Sequence, residues 1–287
     1  MATKIYTKNY AKMVADIFTT QQHFFNTFGG GLQTAADAEY NENFLELKVS
    51  PTNVVIQDYD TGENVAFGSG TGNSSRFGER QEIKSIDKTV KYDNPIAIHE
   101  GIDRFTVNDN YQQIIAERAG LHARKWVEYL NKYMADALNE NAGKELTTSL
   151  TEEAISKLFF EARKEFVNKK VSTGIAWTAY VTADVYNILV ESKLTTTSKI
   201  TAANIGEHTV SKFKGFVLRE LPDEYFSENV CAIFVPDNVG VVGLGLEVYR
   251  LIDSPDYNGV AIQGAGKLAK YIPDENKAVI IKATIAA

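Results

Sequence analysis

The chain has 287 residues, 44% apolar and 23% charged, with 30 basic against 37 acidic side chains and a formal net charge of −7. An average apolar share with so modest a net charge excludes disorder as the main state, and a single cysteine, Cys231, excludes a disulfide framework. No stretch approaches the ~18 apolar residues that a membrane span needs, no apolar run follows Lys4 and Lys8 as a secretion signal requires, and the acidic balance excludes the basic footprint of a tight nucleic-acid binder.

Residues 5–28 come first. Tyr6, Tyr10, Met13, Val14, Ile17, Phe24, Phe25 and Phe28 recur at spacings that predict an amphipathic helix, interrupted at Gln21. Gly29, Gly30 and Gly31 end it as a hinge. Such a helix either packs on its own domain or serves as an arm whose aromatic stripe docks on a neighbouring subunit.

Residues 44–92 change character. Two β-prone runs, 44–49 and 53–57, lead into turn-rich 58–64, and residues 68–78 hold four glycines and almost nothing to bury. Residues 81–92 are extended and charged, with Ile86, Val90 and Tyr92 as a thin apolar edge. A long two-stranded excursion of this kind is marginal in water and needs another surface to lie on.

A proline-free stretch follows, in which Ile115, Ala119, His122, Trp126, Leu130, Met134 and Leu138 keep helical spacing over about 109–141. It predicts a spine helix of some 45 Å, with Asn108 as N-cap, Asn141-Ala142-Gly143 as stop and Gly120 as a bend. From residue 149 the pattern alternates. Thr151 caps a helix with Glu152 and Glu153 in its first turn and Ile155, Leu158, Phe159, Ala162 and Phe166 on its apolar face. Residues 177–181, 216–221 and 232–235 read as buried strands, Thr182 as the cap of a short helix, and 248–285 as a series of strands. Cys231, within an apolar run, reads as a buried thiol.

The search for chemistry finds no catalytic, cofactor-binding or metal-binding set. His99 and Glu100 lack the second histidine of a zinc-protease motif. The phosphate-loop spacing fails at Ala261 and Leu268, and the dinucleotide fingerprint fails at Asn73. Ser69 lacks the preceding glycine of a nucleophile elbow, Phe67 standing there. Asp58 and Asp60 suit a β-turn better than a calcium loop. No enzyme activity is expected.

The order of parts (amphipathic arm, glycine hinge, charged hairpin, spine helix, α/β insert, closing strands) resembles the major capsid protein of tailed bacteriophages, whose coat-protein fold also occurs in herpesvirus capsid floors and encapsulins. The local pieces most similar to the family are 177–186, strand then helix, and 211–218, turn into strand. The resemblance implies an α+β fold of the phage major capsid (Johnson) type. Its parts would be an N-terminal arm (1–37), a peripheral P domain (38–148) with the E-loop at about 50–98 and the spine helix, an axial A domain (149–245), and return strands of the P domain (246–287). Phe44–Val49 would belong with the P domain.

The function it implies is structural: a homo-oligomer of hexamers and pentamers closing into an icosahedral shell, part of the virion and assembled in the host cytoplasm. That shell would enclose double-stranded DNA contacted only weakly, as the acidic balance suits, with no membrane. Arg76, Glu79, Arg80, Glu82 and Lys84 of the E-loop would pair with charges on the adjacent subunit, and Tyr10, Val14, Ile17, Phe24 and Phe28 would dock the arm. A portal and a decoration protein are further partners of such shells. Because the arm starts at Met1, a separate scaffolding protein, or none, is expected in place of a scaffolding domain. An encapsulin-type nanocompartment that loads a cargo enzyme is the alternative.

Overall fold

The computed structural model describes residues 4–5, 22–24, 26–29, 33–35, 42–50, 52, 54–63, 65–67, 75–106, 111–192, 203–204 and 209–286. Before the spine helix come β1 (Lys4–Ile5), β2 (Gln33–Ala35), β3 (Asn43–Val49), β4 (Ile86–Lys91) and β5 (Ile96–Asp103). The spine is α1 (Tyr111–Glu140), followed by β6 (Lys144–Thr148), α2 (Glu152–Asn168), β7 (Trp177–Val181) and α3 (Ala183–Glu191). Then come the short β8 (Ala203–Asn204), β9 (Thr209–Val210) and β10 (Lys212–Phe213), and the longer β11 (Phe216–Glu220) and β12 (Val230–Pro236). The chain closes with β13 (Val241–Asp253), β14 (Gly259–Tyr271), α4 (Asp274–Lys277) and β15 (Ile281–Ile285). It forms two compact units, one of residues 1–42 with 92–287 and one of residues 43–91.

The first unit is organised by β7 and β12, which are buried along their whole length. Strands this apolar require cover on both faces. They lie in the middle of a sheet ordered β10-β11-β7-β12-β15-β6 among the described residues, with β11 parallel to β7 and β6 parallel to β15. On one face Ala179, Val181, Ala232 and Phe234 meet Phe159, Ala162 and Phe166 of α2. On the other, Tyr180, Ile233 and Val235 join Trp126, Leu130, Met134 and Leu138 of α1. A register shift between Val230 and Ala232 lets Cys231 face the α2 side, where burial pushes its thiol up to about 11.

Both long helices follow their sequence signals. Thr151 stands at the N-cap of α2 and its Oγ1 accepts the Ala154 N–H at 3.4 Å. The spine ends where Gly143 passes against the chain at 277–278: a Cβ there would lie 2.5 Å from the Lys277 carbonyl oxygen, so only glycine fits. Asn108 lies outside the described residues. The sheet of the expected A domain takes β6 and β15 from outside the 149–245 bounds, and β13 runs across its end.

A second sheet pairs β13 with β14 and β14 with β5, while β1 and β2 add to β13. Most of the expected N-terminal helix, residues 6–21, lies outside the described residues. Residues 4–5 are edge strand, and near the end of the arm residues 23–24 form a bend and 26–29 a turn, with the Phe28 N–H donating to the Phe24 carbonyl at 3.1 Å. Phe24 and Phe28 are in the core of their own unit, with Phe24 4.7 Å from the Tyr180 ring, so neither is free to dock on a neighbour. Thr27 Oγ1 bonds Tyr180 OH at 2.7 Å, and Asn238 and Val239 donate to the carbonyls of Asn26 and Thr27. Tyr10, Val14, Ile17, Gly30 and Gly31 lie outside the described residues. Phe44–Val49 pairs with β4 rather than with the closing strands, whereas β5, partly inside the expected E-loop, belongs to the sheet with β14.

The N-terminal half of α1 is fastened to β5 by one carboxylate. Arg118 donates two N–H bonds to Glu100, one through Nε at 2.7 Å, and His122 Nε2 lies 2.8 Å from the same carboxylate. These groups, Arg118 foremost, hold the Glu100 carboxyl at about 2, against the upward pull of its partial burial. A carboxyl lowered in the folded state stabilises above its ordinary value near 4.5, and that contribution disappears as pH falls toward 2. Glu100→Gln should therefore lower the urea midpoint at pH 6, and its difference from wild type should shrink toward zero near pH 2. In the α2 core, Phe159 packs edge-on to Phe213, Phe216 and Phe234. Phe159→Ala should cost ~3–5 kcal/mol in urea unfolding.

Candidate inter-subunit surface

The second unit begins as a ladder. Leu45 pairs with Val90 and Val49 with Ile86, after a shift beyond the Asn43–Lys91 pair. Past Val49 the regular ladder stops but the two runs stay in step. Thr52 Oγ1 donates to the Glu82 carbonyl and accepts the Lys84 N–H, both at 3.3 Å. Gln57 makes a reciprocal pair with the backbone of Glu79, each bond 2.9 Å. Beyond it the Asp60 N–H reaches the Arg76 carbonyl at 2.9 Å. Gly78 makes the Gln57 rung possible: its φ is +77°, and a Cβ would lie 2.1 Å from Gln57 Oε1.

The end of this excursion is stitched by Arg76. Its Nε donates to the Val65 carbonyl at 3.1 Å, a second guanidinium nitrogen donates to the Gly62 carbonyl at 3.3 Å, and the group lies 5.0 Å over the Phe67 ring. Asp60 Oδ1 accepts the Gly62 N–H at 2.8 Å, an Asx-turn that the side chain of Asp60 closes. Tyr59 and Phe77 stack edge-on at 5.1 Å.

None of the described residues of this unit is buried. Val54 and Ile56 are 95% and 96% exposed, Ile83 81%, Phe67 79% and Phe77 77%. Hydrogen bonds thus define a shape while its apolar side chains remain in water.

The structure divides the five expected charged contacts. Arg76 is engaged within its own unit: the open carbonyls of a tight loop need donors, and a guanidinium supplies several. Glu79, Arg80, Glu82 and Lys84 have exposed side chains, and the backbones of Glu79, Glu82 and Lys84 carry the cross-links. The apolar members of the surface were missed as contacts. Their signal is the unbroken run Val54-Val55-Ile56 in a segment with no apolar face to receive it.

The two units together carry the fold of tailed-phage major capsid proteins. The bacteriophage PhiM1 mature capsid has a chain with TM-score 0.59 at 13% identity, the match covering 93% of this chain and 89% of that one. The capsid of the cyanophage P-SCSP1u gives 0.62 at 9%, covering 89% and 86%. The capsid of Ralstonia phage GP4 gives 0.58 at 9%, covering 100% and 94%. No family model matches the chain, and no curated protein matches it by sequence.

Arg76→Gln should loosen the end of the excursion without touching the first unit. Cleavage by a glutamate-specific protease at Glu63 and Glu79 should rise about tenfold, as the loss of one or two hydrogen bonds implies, with the urea midpoint unchanged. An unaltered cleavage rate would show that the guanidinium does not hold the loop.

Proposed function

We propose that this chain is the structural subunit of a tailed-phage capsid, many copies forming hexamers and pentamers that close into an icosahedral shell around double-stranded DNA. The observation that carries the reading is the second unit, extended by its own hydrogen bonds and studded with exposed Val54, Ile56, Phe67, Phe77 and Ile83. A surface of this kind is stable when it lies on another copy. Fully burying each such side chain is worth ~1.5–3 kcal/mol, so a few per subunit, repeated around a closed lattice, suffice without any single strong contact. The match to phage capsid proteins over nearly the whole chain supports the same reading.

Glu79, Arg80, Glu82 and Lys84 act at the rim of this contact, setting register and partner choice; exposed ion pairs contribute little individually. The net charge of −7 suits a wall that holds DNA weakly. The role is structural, not enzymatic, and the protein's place is the virion, with assembly in the host cytoplasm. A separate scaffolding protein, a portal and a decoration protein belong to this proposal. The nanocompartment alternative is not favoured, the likenesses being to phage capsids.

Purified wild-type protein should give rings or megadalton shells by sedimentation and negative-stain microscopy. The double variant Ile56→Ser/Ile83→Ser should keep its circular dichroism and thermal midpoint yet sediment as single subunits. A wild-type chain that stays monomeric at high concentration, or a variant that assembles normally, overturns the proposal.

A further inference from the structure

The first unit carries two exposed surfaces of opposite character, held on opposite faces of one sheet. The outward side of α2 presents Lys157, Phe160, Lys164 and Val167 at helical spacing, away from the buried Ile155, Phe159 and Phe166. Phe160 is 61% exposed and Val167 55%, a large apolar area for the outside of a helix. Among the described residues Lys157 has a 3.8 Å contact with Glu161, and an open groove bordered by Glu152, Ser156, Phe160 and Lys214 runs beside the stripe. Glu152 and Glu153 stand at the N-terminal end of this face and Glu161 beside Lys157, while exposed Lys164, Lys169 and Lys170 leave base in excess toward its C-terminal end.

The other surface is the turn at 220–228. Leu221 and Tyr225 anchor it in the core on the α1 side of the sheet. Asn139 Nδ2 donates to the Tyr225 carbonyl at 3.0 Å and Lys132 Nζ to the Glu224 carbonyl at 2.9 Å. Outward it exposes Glu220, Asp223, Glu224 and Glu228 around Pro222 and half-buried Phe226. Nearby Lys125 and Lys132 are paired with Glu128 and Asp136, and Arg219 precedes the turn, so acid remains in excess.

We infer that these two surfaces are the halves of one head-to-tail contact: the α2 stripe of one copy packs on the 220–228 turn of the next, with Lys157 and Lys164 opposite Asp223 and Glu224, and Phe160 against Pro222 and Phe226. The inference rests on the shell reading above and names the contact that links copies into rings. Three observations favour this occupant. The charges are complementary, and each half brings its own apolar centre. The halves lie on opposite faces of the sheet, so joining them is heterologous and propagates from copy to copy into a ring where the rotation closes. Pairing two α2 stripes antiparallel about Phe160 would instead set Lys157 against Lys164. Nucleic acid is a poorer occupant, because phosphates leave Phe160 and Val167 without a partner.

The test is a charge reversal with rescue, in full-length protein. Lys157→Glu/Lys164→Glu and Asp223→Lys/Glu224→Lys alter only exposed side chains, so circular dichroism and thermal midpoint should match wild type. Each pair alone should lower the assembled fraction roughly tenfold near physiological salt, at the concentration where wild type is half assembled. The four changes together should restore it. If either pair assembles like wild type, or the combination fails to recover, the two surfaces do not meet. Loss of DNA-fragment binding in Lys157→Glu/Lys164→Glu with assembly intact would make the stripe a nucleic-acid surface and overturn the contact. A wild type that never assembles sinks the shell reading itself, whereas an assembling wild type with unaffected variants sinks this contact alone.

Discussion

A two-stranded ribbon has two faces and no inside. That constraint governs the unit formed by residues 43–91. Its ladder, the Thr52 and Gln57 rungs and the Arg76 stitching satisfy backbone and side-chain polar groups. Each such bond, though, exchanges a bond to water for one within the protein, for a net gain of only ~0.5–1.5 kcal/mol. Nothing in the ribbon withdraws Val54, Ile56 or Ile83 from solvent. Its hydrogen bonds therefore select a conformation, and the larger apolar gain waits for a second surface.

The other unit solves the opposite problem. Trp177–Val181 and Val230–Pro236 are buried on both faces, and the aromatic set around Phe159, Phe216 and Phe234 interlocks on the α2 side. Tyr180 ties the N-terminal segment into this body, its ring against Phe24 and its hydroxyl bonded to Thr27. Burial of this density resists deformation. A lattice built by such a chain would gain its stiffness from the body and its contact area from the ribbon, a division that lets inter-subunit contacts be weak enough to form reversibly while subunits stay intact.

Elements that bury a continuous stripe were legible in the sequence. The spine helix showed through its Trp126, Leu130, Met134 and Leu138 spacing, α2 through Thr151 and its acidic first turn, and β7 and β12 through unbroken apolar runs. The ribbon showed through its glycines and its lack of anything to bury. What spacing did not reveal at the end of the arm is its destination: Phe24 and Phe28, one helical turn apart, both pack in the core with Tyr180 and its neighbours. β1 and β2 are two and three residues long and take their conformation from β13, so no local pattern announces them. The entry of β6 and β15 into one sheet depends on a register between segments some 137 residues apart, which periodicity does not encode. The bonds of Arg76 within its own loop were hidden for a simpler reason: a cation in a glycine-rich loop looks outward-facing until the loop's own carbonyls, at Gly62 and Val65, are seen to need it.

The same arginine explains why small hydrogen-bond energies matter to a large assembly. Docking a floppy ribbon would charge the association with ordering every residue it fixes, at ~1–2 kcal/mol of backbone entropy each. Over a few tens of residues that cost would exceed what the exposed apolar side chains can return. The paired rungs and the stitched loop meet part of it within the single chain, so that contact with a neighbour need supply only the remainder. The polar bonds and the apolar side chains of the ribbon thus have separate tasks. The first fix its course before any partner arrives, and the second provide the attraction once one does.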